Sequence, residues 1–396
     1  METITAILHV LEYLFLAVIG VQVCYLFIYA WASIFKYKPR IHIEHEQPLN
    51  KVAVIIPGYK EDRIIVDTAK DALLQDYPKD LYHVLIGADS FAEETLNALK
   101  QLDVQVLEVS FENSTKAKSV NKALDALSDK GYQIAVILDS DNLMATDFLQ
   151  KVNAAYNAGF KVIQGHRTAK NQDQNFSLLD ALNEEIGNSI FRKGHRVLGV
   201  PSALIGSGMA FDFDYYRDIM ADIEDVAGED KLIELKVLEQ RQTIEYLEDA
   251  LVYDEKVSNA ANFSKQRTRW VGVQIYFFKN YFLDGVKQLL TKGNFGYFDK
   301  AFQMFLIPKV LLIGLLGLLG VLSLISPLSI YWLFLMLLYA ATLLFAVPKR
   351  FYNKRLIMAL LNIPKAIVFM LLGILKINKS TASKFEVTEK TVNKKD

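Results

Sequence analysis

The sequence predicts an α/β domain with a mostly parallel sheet, flanked by transmembrane helices, and three observations carry this. Short β-rich runs alternate with helical stretches between residues 51 and 270. Residues 13–35 and 310–347 contain no formal charge. Acidic residues stand at the ends of the β-rich runs, where open α/β sheets bind ligands.

Taken in order, the first uncharged run is long enough to cross a ~30 Å hydrocarbon core as a helix. A cleavable signal peptide is the competing reading. Glu2 and Glu12 stand where such peptides need a basic start, and the apolar run is too long. Residues 1–40 are therefore expected to form an uncleaved anchor. Residues 51–57, 83–89, 104–109 and 133–139 read as strands, and 63–75 and 116–127 as helices. No repeat or low-complexity tract interrupts residues 41–270, so one domain is expected there, followed by interfacial helices over 271–301.

In the second uncharged run, Ser326-Pro327-Leu328-Ser329 forms a break that predicts a transmembrane hairpin within 302–347. Residues 356–375 are apolar, but Pro364-Lys365 interrupts them and a tail with six lysines follows. A span there would put the tail outside, against the positive-inside rule, so an interfacial helix is expected within 348–396, with a third span as the alternative. Lys36, Lys38 and Arg40 follow the first span, and Lys349, Arg350, Lys354 and Arg355 follow the hairpin. Both flanks, and the domain between them, are thus expected on the cytoplasmic side of the cell membrane.

Composition narrows the function. A net charge of −1 gives no nucleic-acid footprint. Hydrophobic residues at 52% exceed the roughly 45 to 50% of a soluble domain, which fits an integral membrane protein. The single cysteine, Cys24, excludes an internal disulfide and a multi-cysteine metal site. A transporter is disfavoured, because two or three spans with no charge inside the hairpin leave little from which to build a substrate pathway.

The chemistry-bearing motifs lie in the central domain. In AVILDSDN (135–142), Asp139 and Asp141 follow an apolar strand and can share one hard divalent cation. Mg²⁺ typically takes one or two carboxylates together with substrate phosphates. Alone, such a triplet is commonly a solvated turn or helix cap. STKAKSVNKAL (114–124) offers lysines at a helix start, suited to phosphate oxygens, or else a basic helix face. GSGMAF (206–211) lets backbone approach a ligand closely, or marks a turn into a strand. Gly228-Glu229-Asp230 opens a predicted helix running to Leu238, where plain acidic capping is the alternative. Gln266-Arg267-Thr268-Arg269-Trp270 combines guanidinium donors with an indole; the alternative is an interfacial anchor.

Together with VAVIIPGYKED (52–62) and GADS (87–90), these motifs, in this order, resemble the membrane-bound family-2 glycosyltransferases, which include synthases of cellulose, chitin and hyaluronan. The resemblance implies a nucleotide-diphospho-sugar transferase-like (GT-A) domain and an inverting transfer at the cytoplasmic membrane face. By resemblance Pro57, Tyr59 and Glu61 line the nucleotide end, Asp89 lies near base and ribose, and Lys116 contacts the donor. Asp139 and Asp141 serve a divalent Mg²⁺ or Mn²⁺ and the sugar diphosphate, and Asp230 is the general base. Gln266, Arg267 and Arg269 close over the diphosphate, while Gly208, Glu229 and Trp270 meet the acceptor. The same resemblance implies a UDP-sugar donor, a glycan acceptor in polysaccharide synthesis, a bilayer around the helices and a possible export or oligomer partner. Transfer of a single sugar to a lipid-linked acceptor, and a catalytically inactive nucleotide-binding scaffold, are the alternatives. Two departures stand out: Gly228 where many members carry Thr, and Ala88 where many carry a second aspartate.

Overall fold

The structure, a computed structural model, describes residues 2–39, 47–172, 174–224, 226–257 and 260–375. Arg40 and the lysine-rich tail fall outside the described residues. Among these, the strands are β1 (Val52–Tyr59), β2 (Tyr82–Asp89), β3 (Gln105–Val109), β4 (Ile134–Ile137), β5 (Leu143–Met144), β6 (Val162–Ala169), β7 (Met209–Asp212) and β8 (Ile244–Asp254). They form one sheet in the order β3-β2-β1-β4-β7-β6-β8-β5. β1 pairs in parallel with β2 and β4, β2 with β3, and β6 with β8. Only β7, inserted between β4 and β6, and the short β5 run against the rest.

The central strands are apolar on both faces. On β1, Ala53 and Ile55 face one helical layer while Val52, Val54 and Ile56 face the other. β4 repeats the pattern with Ala135 and Ile137 against Ile134 and Val136. A parallel strand covered on both sides needs a nearly continuous apolar sequence, which is why these runs stood out. The helix Lys116–Leu127 packs so closely on β2 that a side chain at Gly87 would collide with Ser119.

Two helices are long and apolar enough to cross a membrane, Ile7–Ala32 and Ser329–Ala346. The segment Lys309–Ile325 is shorter, and it precedes the expected break at residues 326–329. The first helix starts at Glu2, earlier than the charge-free run, and includes Glu12. That carboxylate is accommodated because Ser326 Oγ donates to it at 2.7 Å and Trp332 Nε1 at 3.1 Å. The amino-terminal end of the first helix therefore lies beside the hairpin turn. Leu14, Val21, Leu318, Phe334 and Leu344 are exposed on the outside of this bundle. Inside, Ile19, Val23 and Leu26 pack with Leu312, Trp332 and Tyr339 and with Leu178 and Leu182 of the helix Asn175–Asn188, joining the bundle to the domain.

Residue 270, where the sequence suggested that the domain gives way to interfacial helices, lies inside one unbroken helix, Ala260–Lys292. The segment after the hairpin consists of two helices, Lys354–Leu360 and Ile363–Ile374, with Pro364 in the first turn of the second. That second helix crosses the long one closely enough that a side chain on Gly373 would collide with Thr268.

Candidate active site

A cleft of about 1180 Å³ opens at the carboxyl edge of the parallel strands. Tyr59 and Asp89 end β1 and β2 in register there. Immediately beyond them Lys60 and Ser90 adopt left-handed backbone, φ 55° and 59°. Non-glycine residues held in that region cost energy and cluster at ligand sites. Lys60 N donates to the Asp89 carbonyl at 3.1 Å, and the buried Asp89 carboxylate accepts from Ser90 Oγ at 2.9 Å.

β4 stops at Ile137, two residues short of Asp139. Leu138 N still bonds to Ile55, whereas Asp139 N is held by Ser207 Oγ at 2.9 Å, so the chain leaves the sheet at the acids. Asn142 donates to Asp141 and to Asp254, both at 2.9 Å, and its own carbonyl oxygen accepts from Ser207. Lys116, first residue of a helix capped by Thr115, places its ammonium 2.5 Å from Asp139 and 2.5 Å from the Gly206 carbonyl. Burial works against that charge, but Asp139 and Glu229 outweigh it and raise the lysine above its ordinary value.

Further charges complete this end, and sequence reasoning missed them. Arg167 on β6 pairs with Glu184 at 2.9 Å and reaches Asp254 and Asp139 at 3.8 and 3.9 Å. Lys256 bridges Glu184 and Asp254 at 2.8 and 2.6 Å. Their only sequence signal is that Arg167 and Asp254 stand at or near the ends of apolar strands.

Gly228 takes up left-handed backbone, φ 80°, as N-cap of the helix Glu229–Glu239. A Cβ there would lie 2.6 Å from Val273, which explains why glycine stands where many relatives have threonine. Glu229 sits 3.8 Å from Lys116, whereas Asp230 pairs with Lys231 at 3.2 Å and lies against Gly206. Burial raises the Glu229 carboxyl, and the charge of Asp230 raises it further, while Lys116 only partly offsets them. Burial also acts on Asp230, but Lys231 outweighs it and holds that carboxyl below its ordinary range.

Thirteen of the fourteen residues assigned to the site from sequence line the cleft, including Pro57, Tyr59, Glu61 and Arg269. Gly208 does not. It is buried in the sheet with φ 63°, its carbonyl accepts from Gly165 N, and a Cβ would stand 2.9 Å from Val252. Arg267 lines the cleft but is engaged with Asp180 and lies 4.5 Å over the Trp270 ring. Gln266 Oε1 is buried and without a hydrogen-bond partner among the described residues.

Among the described residues, no three His, Cys, Asp or Glu side chains gather as a metal cage. The donor set at Asp139 and Asp141 is two hard carboxylates, with cations already drawn to Asp139. That fits a hard divalent ion which takes most of its oxygens from a bound phosphate.

A curled, mostly parallel sheet with acids and a basic helix start at one edge is the architecture of GT-A glycosyltransferases. Residues 48–273 match the family described as Glycosyltransferase like family 2, and the chain belongs to that family of enzymes. The fold resembles mannosyltransferase PcManGT from Pyrobaculum calidifontis, solved with GDP-Man and Mn²⁺, at 16% identity and a TM-score of 0.50, covering 85% of this chain and 98% of that one. S. aureus TarS 1–349 overlaps 82% of this chain and 90% of its own at 16% identity, with a TM-score of 0.43. A curated relative from Methanococcus voltae, a dolichyl N-acetyl-alpha-D-glucosaminyl phosphate 3-beta-D-2,3-diacetamido-2,3-dideoxy-beta-D-glucuronosyltransferase, is 26% identical over 107 residues. That match spans 26% of this chain and 32% of the relative.

Proposed function

We propose that this enzyme moves a sugar from a nucleoside-diphosphate donor to an acceptor hydroxyl at the cytoplasmic face of a membrane, with inversion at the anomeric carbon. The observation that carries this is the convergence of Asp89, Asp139, Asp141 and Lys116 on one strand edge, beside a base candidate and beneath apolar helices. The nucleotide enters along Pro57, Tyr59 and Asp89. Asp139 and Asp141 hold a divalent ion, which supplies charge neutralisation for the departing diphosphate. Lys116, already on Asp139, offers a fixed positive charge at the same point.

Asp230 accepts the proton of the attacking hydroxyl. As that oxygen bonds to the anomeric carbon, the bond to the diphosphate breaks and the nucleoside diphosphate leaves with its electron pair. Asp230 suits this role because Lys231 keeps it ionised, and because Lys116 is engaged with Asp139, leaving the Asp230 carboxylate paired only with its neighbour Lys231 among the ion pairs of the described residues. Trp270, 38% exposed at the cleft, offers its face to a pyranose. Arg350, following the hairpin, donates to Glu185 of the domain, so the basic flank and the cleft lie on one side.

The test is a panel of labelled UDP- and GDP-sugars given to purified protein in detergent, with and without Mg²⁺ or Mn²⁺. Metal-dependent, acceptor-dependent release of nucleoside diphosphate from one donor supports the reading. Consumption of none of them refutes it.

A further inference from the structure

The cleft does not end at the acids. It continues to an apolar end formed by Leu26 of the first apolar helix, Val310 beside the hairpin's start, Met370 of the last helix, and Phe191 and Ile307. Two basic side chains stand there. Arg192 lies on a π-helix, Ser189–Gly194, a rare local geometry that recurs at functional sites. It is 5% exposed, its Nη1 donates to Asn188 at 2.9 Å, and its Nε has no hydrogen-bond partner among the described residues. Lys309 opens the helix Lys309–Leu322 and donates to the Asn183 carbonyl at 3.2 Å. A methyl on Gly187 would stand 3.6 Å from the lysine Nζ and 3.7 Å from the arginine Nη1, so the two flank one glycine.

Among the described residues neither has a carboxylate within 4.0 Å. The nearby acids, Glu184 and Glu234, are taken, the first by Arg167 and Lys256 and the second by Lys300. Burying a cation without a counter-charge is costly, so a buried unpaired guanidinium facing a cleft implies an anion that arrives with a ligand. The donor's phosphates have their own cations in Lys116 and Arg167. The anion at Arg192 must also suit surroundings made by three apolar helices.

We propose that Arg192 and Lys309 form a second anion site, which receives the phosphate of a lipid-borne acceptor whose hydrocarbon chain lies along the apolar end of the cleft. This rests on the transferase reading and gives it an acceptor class: a sugar carried on a lipid phosphate, reaching toward Asp230 from the membrane side. The donor enters at the opposite end.

The test uses the full chain in detergent micelles, with farnesyl phosphate as probe, farnesol as its neutral counterpart and inorganic phosphate as the free anion. Farnesyl phosphate is expected to bind at least ~30-fold more tightly than either, the scale of one charge-assisted hydrogen bond against farnesol and of partial burial of the prenyl chain against inorganic phosphate. Arg192→Gln and Lys309→Gln should each weaken it at least ~10-fold, with Arg192→Lys recovering part of the loss. Equal binding of farnesol, or glutamine variants that bind like the unmutated protein, overturns the site. Inorganic phosphate that binds as tightly as the prenyl ester overturns its assignment to a lipid. The selectivity of the unmutated protein decides the matter even if Arg192→Gln does not fold. Nucleotide-sugar binding in the same sample separates the two readings: farnesyl phosphate bound without any donor would keep this site and discard the donor site.

Discussion

Asp139 and Asp141 were legible because a strand of four buried apolar residues points to them and a turn follows. Arg167, Glu184, Asp254 and Lys256 were not, because they stand in three segments far apart in the chain, and only the pairing of β6 with β8 and the packing of the helix Asn175–Asn188 gather them. Asp141→Asn should abolish metal-dependent transfer while leaving the melting temperature near that of the unmutated protein, since it removes a charged ligand at nearly constant volume. Wild-type activity in that variant would refute the ligand assignment.

Asp230→Asn should cut transfer at least ~10²-fold with donor binding retained, and Glu229→Gln should cost less. Calorimetry beside initial rates checks both, and a dead Glu229→Gln with an active Asp230→Asn would exchange their roles. The pair also sets a pH dependence. Glu229 lies above its ordinary value, chiefly through burial, while Asp230 lies below its own, so Glu229 is protonated and neutral before Asp230 titrates. The acid limb of kcat/KM that reports Asp230 should therefore stay in place in Glu229→Gln; a limb that moves by a pH unit or more contradicts this order of titration.

At the scale of elements, the strands and the helix Lys116–Leu127 follow from nearly continuous apolar runs and a capped basic start, both local signals. GSGMAF offered a turn into a strand as one reading, and β7 is that strand; its reversed direction was not visible, because it is set only by pairing between β4 and β6. The unbroken helix through residue 270 was likewise hidden, since the sequence was divided there on the strength of a motif. Gly228 joins two elements through one backbone angle. Gly228→Ala should destabilise the protein by ~1–3 kcal/mol, from its left-handed φ and from contact with Val273, visible as a lower melting temperature. An unchanged melt would contradict this account.

The helices themselves can be tested by labelling in a Cys24→Ser background. Ile325, 97% exposed at the hairpin turn, and Leu74, 62% exposed on the domain, lie at opposite ends of the molecule by the proposed topology. An impermeant thiol reagent on intact cells should label Ile325→Cys and spare Leu74→Cys. The reverse pattern would invert the orientation.

Over the whole molecule, the bundle and the domain are fastened by polar contacts deep in the structure. His195 stacks on Tyr29 of the first helix at 3.7 Å and bonds to Asp299 at 3.1 Å, while Tyr25 donates to Asp299 at 2.9 Å. These contacts hold the apolar helices over one end of the cleft, as the proposed entry of donor and acceptor from different phases requires. Composition announced the helices and the strand edge announced the cleft. Their junction was beyond the sequence, since it depends on residues such as Tyr25 and Asp299 that are far apart in the chain. The most direct test of the central claim is a proton NMR measurement of the product formed from an α-linked nucleotide sugar, with released nucleotide counted in the same tube. Inverting transfer by direct hydroxyl attack predicts a β-linked product and one nucleoside diphosphate per sugar transferred. An α-linked product, or nucleotide released with no sugar on any acceptor, would contradict it.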